Sequence, residues 1–417
     1  MSFSSTTLDA RRAVITGMGV VSPLGVGKAA FWRGLQSQRS LARELTLFDT
    51  REFKAKHATW IEGWQPREWI APHRLKRMDR FAQFTCVAGH LAVQDAGLAL
   101  SPEMPNPRAG ISLGSALGGY AYAESQHTAY LERGLKGLHP ALGVQGFGGS
   151  AQGNLAIEFG LQGPGTTNAN TCAAGNAALG DALRLIQYGS ADVVLAGAAE
   201  TPLSPVVFAA FDNLNTMSRY GAYRPYHRDR DGFIMGEGAA LFVVESLAHA
   251  RQRGARIYAE IIGYGLTNDA YHMSSPEPSG RALQSAMRLA LEDAGTNAEA
   301  IDYINAHASG TPANDPNELQ HIAAVFGDHA KRIPISGVKP FLGHTLGAAG
   351  ALEIATCLLA MEHSWVPPTL GLDDVDPVCE GFNLVPQKAQ EKKIQGVLSN
   401  SLGFSGINTS LVLRAVE

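Results

Sequence analysis

Short β-branched runs punctuated by glycine alternate with stretches of helical periodicity along all 417 residues. That alternation restricts the chain to α/β architectures, in which buried sheets carry helices on their faces. Residues 12–22 (RAVITGMGVVS) read as a buried strand running into the turn Pro23-Leu24-Gly25. Residues 77–96 carry apolar positions at helical spacing and stop at Gly97. A strand at 109–115, a Gly-rich stretch through Gly149 and a helix at 154–159 follow. Next come a strand-like run ahead of Cys172, a helix over 176–187 and buried strands over 191–198 and 239–246. The rhythm restarts at 256–265 and passes through a helix at 279–294, a strand at 301–306, a helix at 315–326, the loop 339–347, a helix at 348–362 and strands at 396–401 and 409–414. With no polar linker between the two series, residues 1–255 and 256–417 are expected to be the halves of an internal duplication. The visible echo is short: Asn168-Ala169 before Thr171-Cys172, and Asn305-Ala306 before His307.

Charged residues make up 17% of the chain, below the ~25% usual for soluble proteins. A large core or a large subunit interface follows. A formal charge of -4 gives no general attraction to nucleic acid. No apolar run reaches the roughly 18–20 residues of a membrane span, and residues 1–12 lack the apolar core of a secretion signal, so a cytoplasmic location is expected. Cys86, Cys172, Cys357 and Cys379 are scattered without a CxxC pair or zinc-like spacing, so neither a disulfide framework nor a metal site is expected.

Cys172 sits in NTCAAG, between a strand-like run and a long helical pattern. At such an elbow the helix dipole favours thiolate, and small neighbours admit a bulky acyl chain. The other three cysteines read as inert buried thiols. His307 opens the loop HASGTP after a strand, and His344 lies in KPFLGHTLGAAG before a helix. Loops at the carboxyl ends of strands converge, so Cys172, His307 and His344 can meet despite their separation. Gly17-Met18-Gly19 lacks the further spaced glycine of a dinucleotide loop, and no GxxxxGK[ST] is present. Gly403-Phe404-Ser405-Gly406 suits a mobile gate or a backbone oxyanion donor.

Eight ordered stretches resemble the β-ketoacyl-acyl carrier protein synthases: RRAVITGMGVVSPLG, RMDRFAQF, TCAAG, RDRDGFIMGEGAA, TNDAYHMSSP, NAH with TPAND, KPFLGHTLGAAGALE and NSLGFSGINTSL. The resemblance covers the whole chain and is nearest the elongating synthase II type and its type II polyketide relatives. It implies a thiolase-like layered αβαβα fold from two duplicated halves, the first carrying the nucleophile and the second the two histidines and the lysine. It further implies that Cys172 takes an acyl chain as a thioester. His307 and His344 would bind the malonyl thioester, promote loss of CO2 and stabilise the enolate. Lys339 would hold the His344 loop with Glu353 as ionic partner. The N–H groups of Cys172 and Phe404 would form the oxyanion hole, with Phe404 also gating malonyl entry. Ser309 and Thr311 match positions holding a pantetheine arm, and Leu117 a position lining the acyl pocket. No resident cofactor is implied, since phosphopantetheine arrives on the carrier.

The chain departs from the pattern at several places. Ala308 and Ser309 replace Gly and Thr, 217–226 is shortened, His227 stands for an Asp, and Ser405 stands for a Gly. These bear on the acyl substrate and leave the reaction intact. The cations His73, Arg74, Lys76, Arg77 and Arg80, with Arg219, match the edge at which an acidic acyl carrier protein docks. The reading that follows is decarboxylative condensation in fatty acid elongation. The alternative is the same reaction in a dedicated polyketide or polyene pathway, with a dimer that is either homomeric or formed with a chain-length-factor subunit. A catalytically silent partner subunit is a third reading, disfavoured because Cys172, both histidines and Lys339 are present. A non-decarboxylating thiolase is disfavoured because it would need a second cysteine as base.

Overall fold

A computed structural model describes residues 11–416. Ten main strands join in one hydrogen-bonded sheet: β1 (Ala13–Ser22), β2 (Ala109–Gly114), β3 (Gly165–Asn168), β4 (Val193–Glu200), β5 (Gly238–Ser246), β6 (Ala259–Asn268), β7 (Tyr303–Asn305), β8 (Ile335–Ser336), β9 (Gly396–Gly403) and β10 (Ile407–Arg414). Their spatial order is β8-β7-β9-β10-β6-β1-β5-β4-β2-β3, with the short strand Gly25–Val26 paired to β1. Within each set of five consecutive strands the order is therefore the same, first-fifth-fourth-second-third. The pairing directions repeat as well: antiparallel, antiparallel, parallel, parallel. β1 and β6 join the two sets through a brief antiparallel register, Ala13 to Ile15 against Ile261 to Ala259.

Alternation along the strands sends side chains to two different cores. On β5, Ala240, Phe242 and Val244 face a central cluster, whereas Leu241 and Val243 face an outer one. On β10, Leu411 and Leu413 face the same central cluster and Val412 another outer one. Two buried helices, α3 (Ala174–Gln187) and α6 (Ala349–His363), supply Leu179, Leu183, Ile354 and Leu358 to the centre. The outer layers are α1 (Arg80–Ala96) with α2 (Ser150–Phe159) on one side, and α4 (Arg281–Asp293) with α5 (Asn314–Phe326) on the other. The five layers are helix, sheet, helix, sheet, helix, and the thiolase-like arrangement expected from the sequence is present.

The ends of α1 are set locally. Asp79 accepts from the Ala82 N–H as N-cap, and Gly97 closes the helix at φ 64°. Some elements carry weaker signals. The helix Tyr120–Arg133 lies inside the stretch read as Gly-rich, and has only one fully buried residue, Ala129. Helices Lys28–Gln36 and Pro205–Asn213 are likewise absent from the sequence reading.

The outer helices lie directly on strand glycines. A Cβ on Gly19 would stand 1.9 Å from the Ala88 carbonyl oxygen of α1, and one on Gly265 would stand 2.0 Å from that of Ala286 in α4. Gly19→Ala and Gly265→Ala are each expected to cost about 3 kcal/mol in urea unfolding. Gly143→Ala, which meets nothing within 4 Å, should stay within about 0.5 kcal/mol.

Candidate active site

Cys172 lies in the 3-10 turn Thr171–Ala173 that opens α3. The second half builds the same device. The 3-10 turn Leu346–Ala348 opens α6, and the leading residues Thr171 and Leu346 both take positive φ, 49° and 43°. The structural counterpart of TCAAG is thus LGAAG at 346–350, and the shared Ala-Ala-Gly is the genuine internal echo. The echo read between Asn168 and Asn305 pairs the wrong loops, because β3 is the third strand of its set and β7 the second.

A cavity of about 270 Å3 brings Cys172, His307, His344 and Phe404 together, with Ser309 and Thr311 also in its wall. The imidazole rings of His307 and His344 stand 5.5 Å apart at 76°. Phe233 packs edge-on against His344 at 5.1 Å. The Phe404 ring lies 6.0 Å from that of Phe211, and its N–H points at the Cys172 sulfur. Ser309 and Thr311 join their hydroxyls at 2.9 Å.

Lys339 is fully buried behind this wall. Its ammonium donates to Glu353 Oε1 at 2.5 Å, to the His307 carbonyl, and to His307 Nδ1 at 3.3 Å. Three donors thus meet three acceptors. An ammonium on Nδ1 assigns the proton of neutral His307 to Nε2. His344 Nδ1 is buried without a partner among the described residues, which leaves its Nε2 for the cavity. Burial and the Lys339 charge both hold the two imidazoles well below the ordinary histidine value, so they are neutral.

The thiol departs from the sequence expectation. Burial pushes Cys172 up to about 12, with Glu200 and Glu353 adding to the rise, while Lys339 and the Phe404 N–H oppose it. A helix N-terminus contributes ~0.3–2 kcal/mol toward the thiolate. Burial therefore disfavours the thiolate at Cys172, against the pull of the helix dipole and of Lys339.

Several supporting acids escaped the sequence reading. Glu318 accepts from the His307 and Ala308 N–H groups at 2.8 and 2.9 Å. Asp315 accepts from the Gly310 and Tyr226 N–H groups at 3.0 and 2.9 Å. The signal available was their spacing of three on one buried face of α5. Glu200, pushed up to about 7 by burial, gathers the N–H groups of Ala116, Leu117 and Gly347. Glu353 is also raised by burial to about 7, with Lys339 opposing.

Other predicted residues lie apart from the cavity. Leu117 packs against the cluster that includes Val207, Phe208 and Phe233 and is absent from the cavity wall. Arg80 is engaged by buried Glu237 at 2.5 and 2.8 Å, and Arg74 by Glu158. Lys76 and Arg77 are exposed and form no ion pair among the described residues. Arg219 donates at 2.8 Å to Asn215, which lines the cavity.

A layered thiolase-like fold with a cysteine and two neutral histidines in one cavity defines a condensing enzyme. Residues 10–250 match the family model described as beta-ketoacyl synthase, N-terminal domain, and residues 258–373 the corresponding C-terminal domain. The chain belongs to the β-ketoacyl synthase family. It is 40% identical to 3-oxoacyl-(acyl-carrier-protein) synthase 2 of Coxiella burnetii, over 98% of this chain and all of that one. It is 39% identical to the actinorhodin polyketide putative beta-ketoacyl synthase 1 of Streptomyces coelicolor, over 98% of this chain and 89% of that one. Among solved structures, the ishigamide ketosynthase/chain length factor superposes with a TM-score of 0.92 at 36% identity, covering 98% of this chain and 100% of that one. A type II polyketide synthase ketosynthase in complex with its acyl-carrier protein gives a TM-score of 0.88 at 33% identity, with the same coverage.

The neutral histidines have a consequence for stability. Below the ordinary value of 6.5 the unfolded chain takes up protons that the native rings refuse. This contribution is therefore complete above that value and is lost as pH falls below it. Glu200 and Glu353, raised in the fold, act oppositely, so the difference between wild type and a variant is the informative quantity. Replacing His307 and His344 by Asn should reduce the loss of unfolding free energy between pH 7 and 5.5 by about 1 kcal/mol per ring, read from urea midpoints.

Proposed function

We propose that this chain catalyses the decarboxylative condensation of an acyl thioester with malonyl-acyl carrier protein, giving a 3-oxoacyl-acyl carrier protein, in fatty acid elongation. The observation that carries this reading is the single cavity shared by Cys172, His307, His344 and Phe404. Cys172 attacks the acyl carbonyl, a C–S bond forms, and the carrier thiol leaves with the proton that the cysteine gives up. The N–H groups of Cys172 and Phe404 receive the oxyanion, each worth ~3 kcal/mol of barrier. The malonyl C–C bond then breaks, CO2 departs, and the electron pair becomes an enolate held by the Nε2–H donors of His307 and His344. Its carbon attacks the acyl group, and the released sulfur regains a proton from solvent. Lys339, with Glu353, fixes the tautomer and place of His307. Ser309 and Thr311 hold the pantetheine arm, which arrives with the carrier, so no resident cofactor is needed.

A second reading places the same reaction in a dedicated polyketide or polyene pathway. It is favoured by the likeness to the ishigamide ketosynthase/chain length factor.

We further read residues 1–255 and 256–417 as duplicated halves, supported by the repeated strand order. Leu117 is proposed to act on the acyl pocket from behind its wall, within the cluster that includes Phe233. Lys76, Arg77 and Arg219 are proposed to dock the acidic carrier, since Arg74 and Arg80 are occupied by ion pairs. A dimer, homomeric or with a chain-length-factor subunit, is supported by the sheet-edge strand β3, whose Gly165 and Thr166 are exposed, and by the apolar side chains Leu131, Leu135, Val144 and Phe147 on the surface. Four free cysteines suit the reducing cytoplasm.

Intact-mass measurement after incubation with a panel of acyl-carrier proteins tests the reading. One acyl mass should land on Cys172 and none on Cys172→Ala; a Cys172→Ala protein that still condensed acyl- and malonyl-carrier thioesters would sink it. In sedimentation the protein alone should run as a dimer if homomeric, and as a monomer if it requires a different subunit.

A further inference from the structure

We infer that Arg230 is a positioning residue for the pantetheine arm, holding the Ser309–Thr311 hydroxyl pair through the backbone of their loop. This rests on the reading of Ser309 and Thr311 given above.

Arg230 lies outside the cavity wall, with its side chain 5% exposed. Its guanidinium donates through Nε to the Thr311 carbonyl at 3.2 Å and through Nη2 to the Pro312 carbonyl at 3.2 Å. Nη1 donates to the His227 carbonyl at 2.9 Å and to Asp376 Oδ2 at 2.5 Å. One side chain thus ties together three segments distant in sequence, at 227–230, 311–312 and 376. Both loop carbonyls it holds belong to residues that line the cavity.

The loop is clamped from its two polar sides. Asp315 takes the Gly310 N–H at 3.0 Å, and Gly232 N–H donates to the Gly310 carbonyl at 3.0 Å. Arg230 supplies the donors for the next two carbonyls. The two hydroxyls stand beside these clamps, on Ser309 just before them and on Thr311 within them, with Thr311 Oγ1 also accepting from the Asn314 N–H at 3.2 Å. A shift of this backbone moves both hydroxyls and leaves Cys172 and His344, which other elements hold. Asp376 keeps the guanidinium in place. It caps its own 3-10 turn through the Val378 N–H at 3.1 Å and donates its N–H to the Tyr226 carbonyl at 2.9 Å. Arg230 in turn holds the Asp376 carboxyl below the usual carboxylate range.

The test uses full-length protein and two acyl donors: hexanoyl-pantetheine, which carries the arm, and S-ethyl hexanethioate, which lacks it. Acylation of Cys172 is followed by intact mass. Arg230→Gln should raise KM for hexanoyl-pantetheine about tenfold, the loss of roughly one charged hydrogen bond. Its kcat and its acylation by the ethyl thioester should stay near wild type. Arg230→Lys should recover part of the loss, because one ammonium reaches fewer carbonyls than the guanidinium fork. Asp376→Asn, which leaves the arginine but loosens its anchor, should show the same donor dependence at smaller size, and it stands in where Arg230→Gln fails to fold. Equal loss with both donors, or loss with neither, overturns the inference. A Ser309→Ala, Thr311→Val double variant separates the two levels. If it shows no selective loss for the pantetheine donor, the arm-binding reading fails. If it does and the Arg230 and Asp376 variants do not, only the positioning role fails.

Discussion

The architecture depends on two helix beginnings that touch backbone to backbone. A Cβ on Gly175 would stand 2.4 Å from the Ala351 nitrogen, and one on Gly350 would stand 2.9 Å from the Asn176 nitrogen. These are the first turns of α3 and α6, and only glycine at the crossing lets them approach so closely. Because each helix is entered through a 3-10 turn led by a residue at positive φ, the crossing brings both entering loops to one place. One loop carries Cys172 and the other follows His344. The layers around them then follow from the need to cover two largely buried central helices, of which α6 is apolar almost all round.

The same burial sets the electrostatics. Lys339 is a buried cation within reach of Cys172, both histidines and Glu353, and its charge acts on all of them. On the imidazoles it works with desolvation, and both effects favour the neutral ring. On the thiol it works against desolvation and loses. The outcome is a set of neutral groups poised around one fixed ammonium, with the counter-charge on Glu353. Such an arrangement leaves a single ion pair to be accommodated in the low-dielectric interior.

Much of this was legible in the chain. Strand and helix existence followed from period, and the elbow cysteine and two loop histidines followed from their position between a strand and a helix. The misses share a physical cause. Glu200 accepts backbone N–H groups from loops more than eighty residues away, a role with no spacing of its own, whereas Glu318 and Asp315 accept from the loop just ahead of their helix and left only their spacing of three as a signal. Helix Tyr120–Arg133 is mostly exposed, so it lacks the apolar stripe that marks a helix in sequence. The dipole at Cys172 is visible in a local pattern, whereas the burial that opposes it depends on the packing of the whole fold.

The departures from the family pattern become intelligible as matched pairs. Ala308 takes φ 43°, a region in which a side chain costs about 1 kcal/mol relative to glycine. Its methyl lies over Gly337, where a Cβ would stand 2.3 Å from it, so a bare residue opposite makes room for the added carbon. Ser405 takes φ 68° in the Phe404 turn, and its N–H donates at 2.7 Å to the Met273 carbonyl of the facing loop. A serine at that φ costs about 1 kcal/mol relative to glycine, so the turn that carries Phe404 is held in this geometry by its hydrogen-bond partner against its own backbone preference. Both changes fall in loops that border the cavity and place a side chain where the backbone favours glycine. The position of Cys172, by contrast, is set by the two crossing helices.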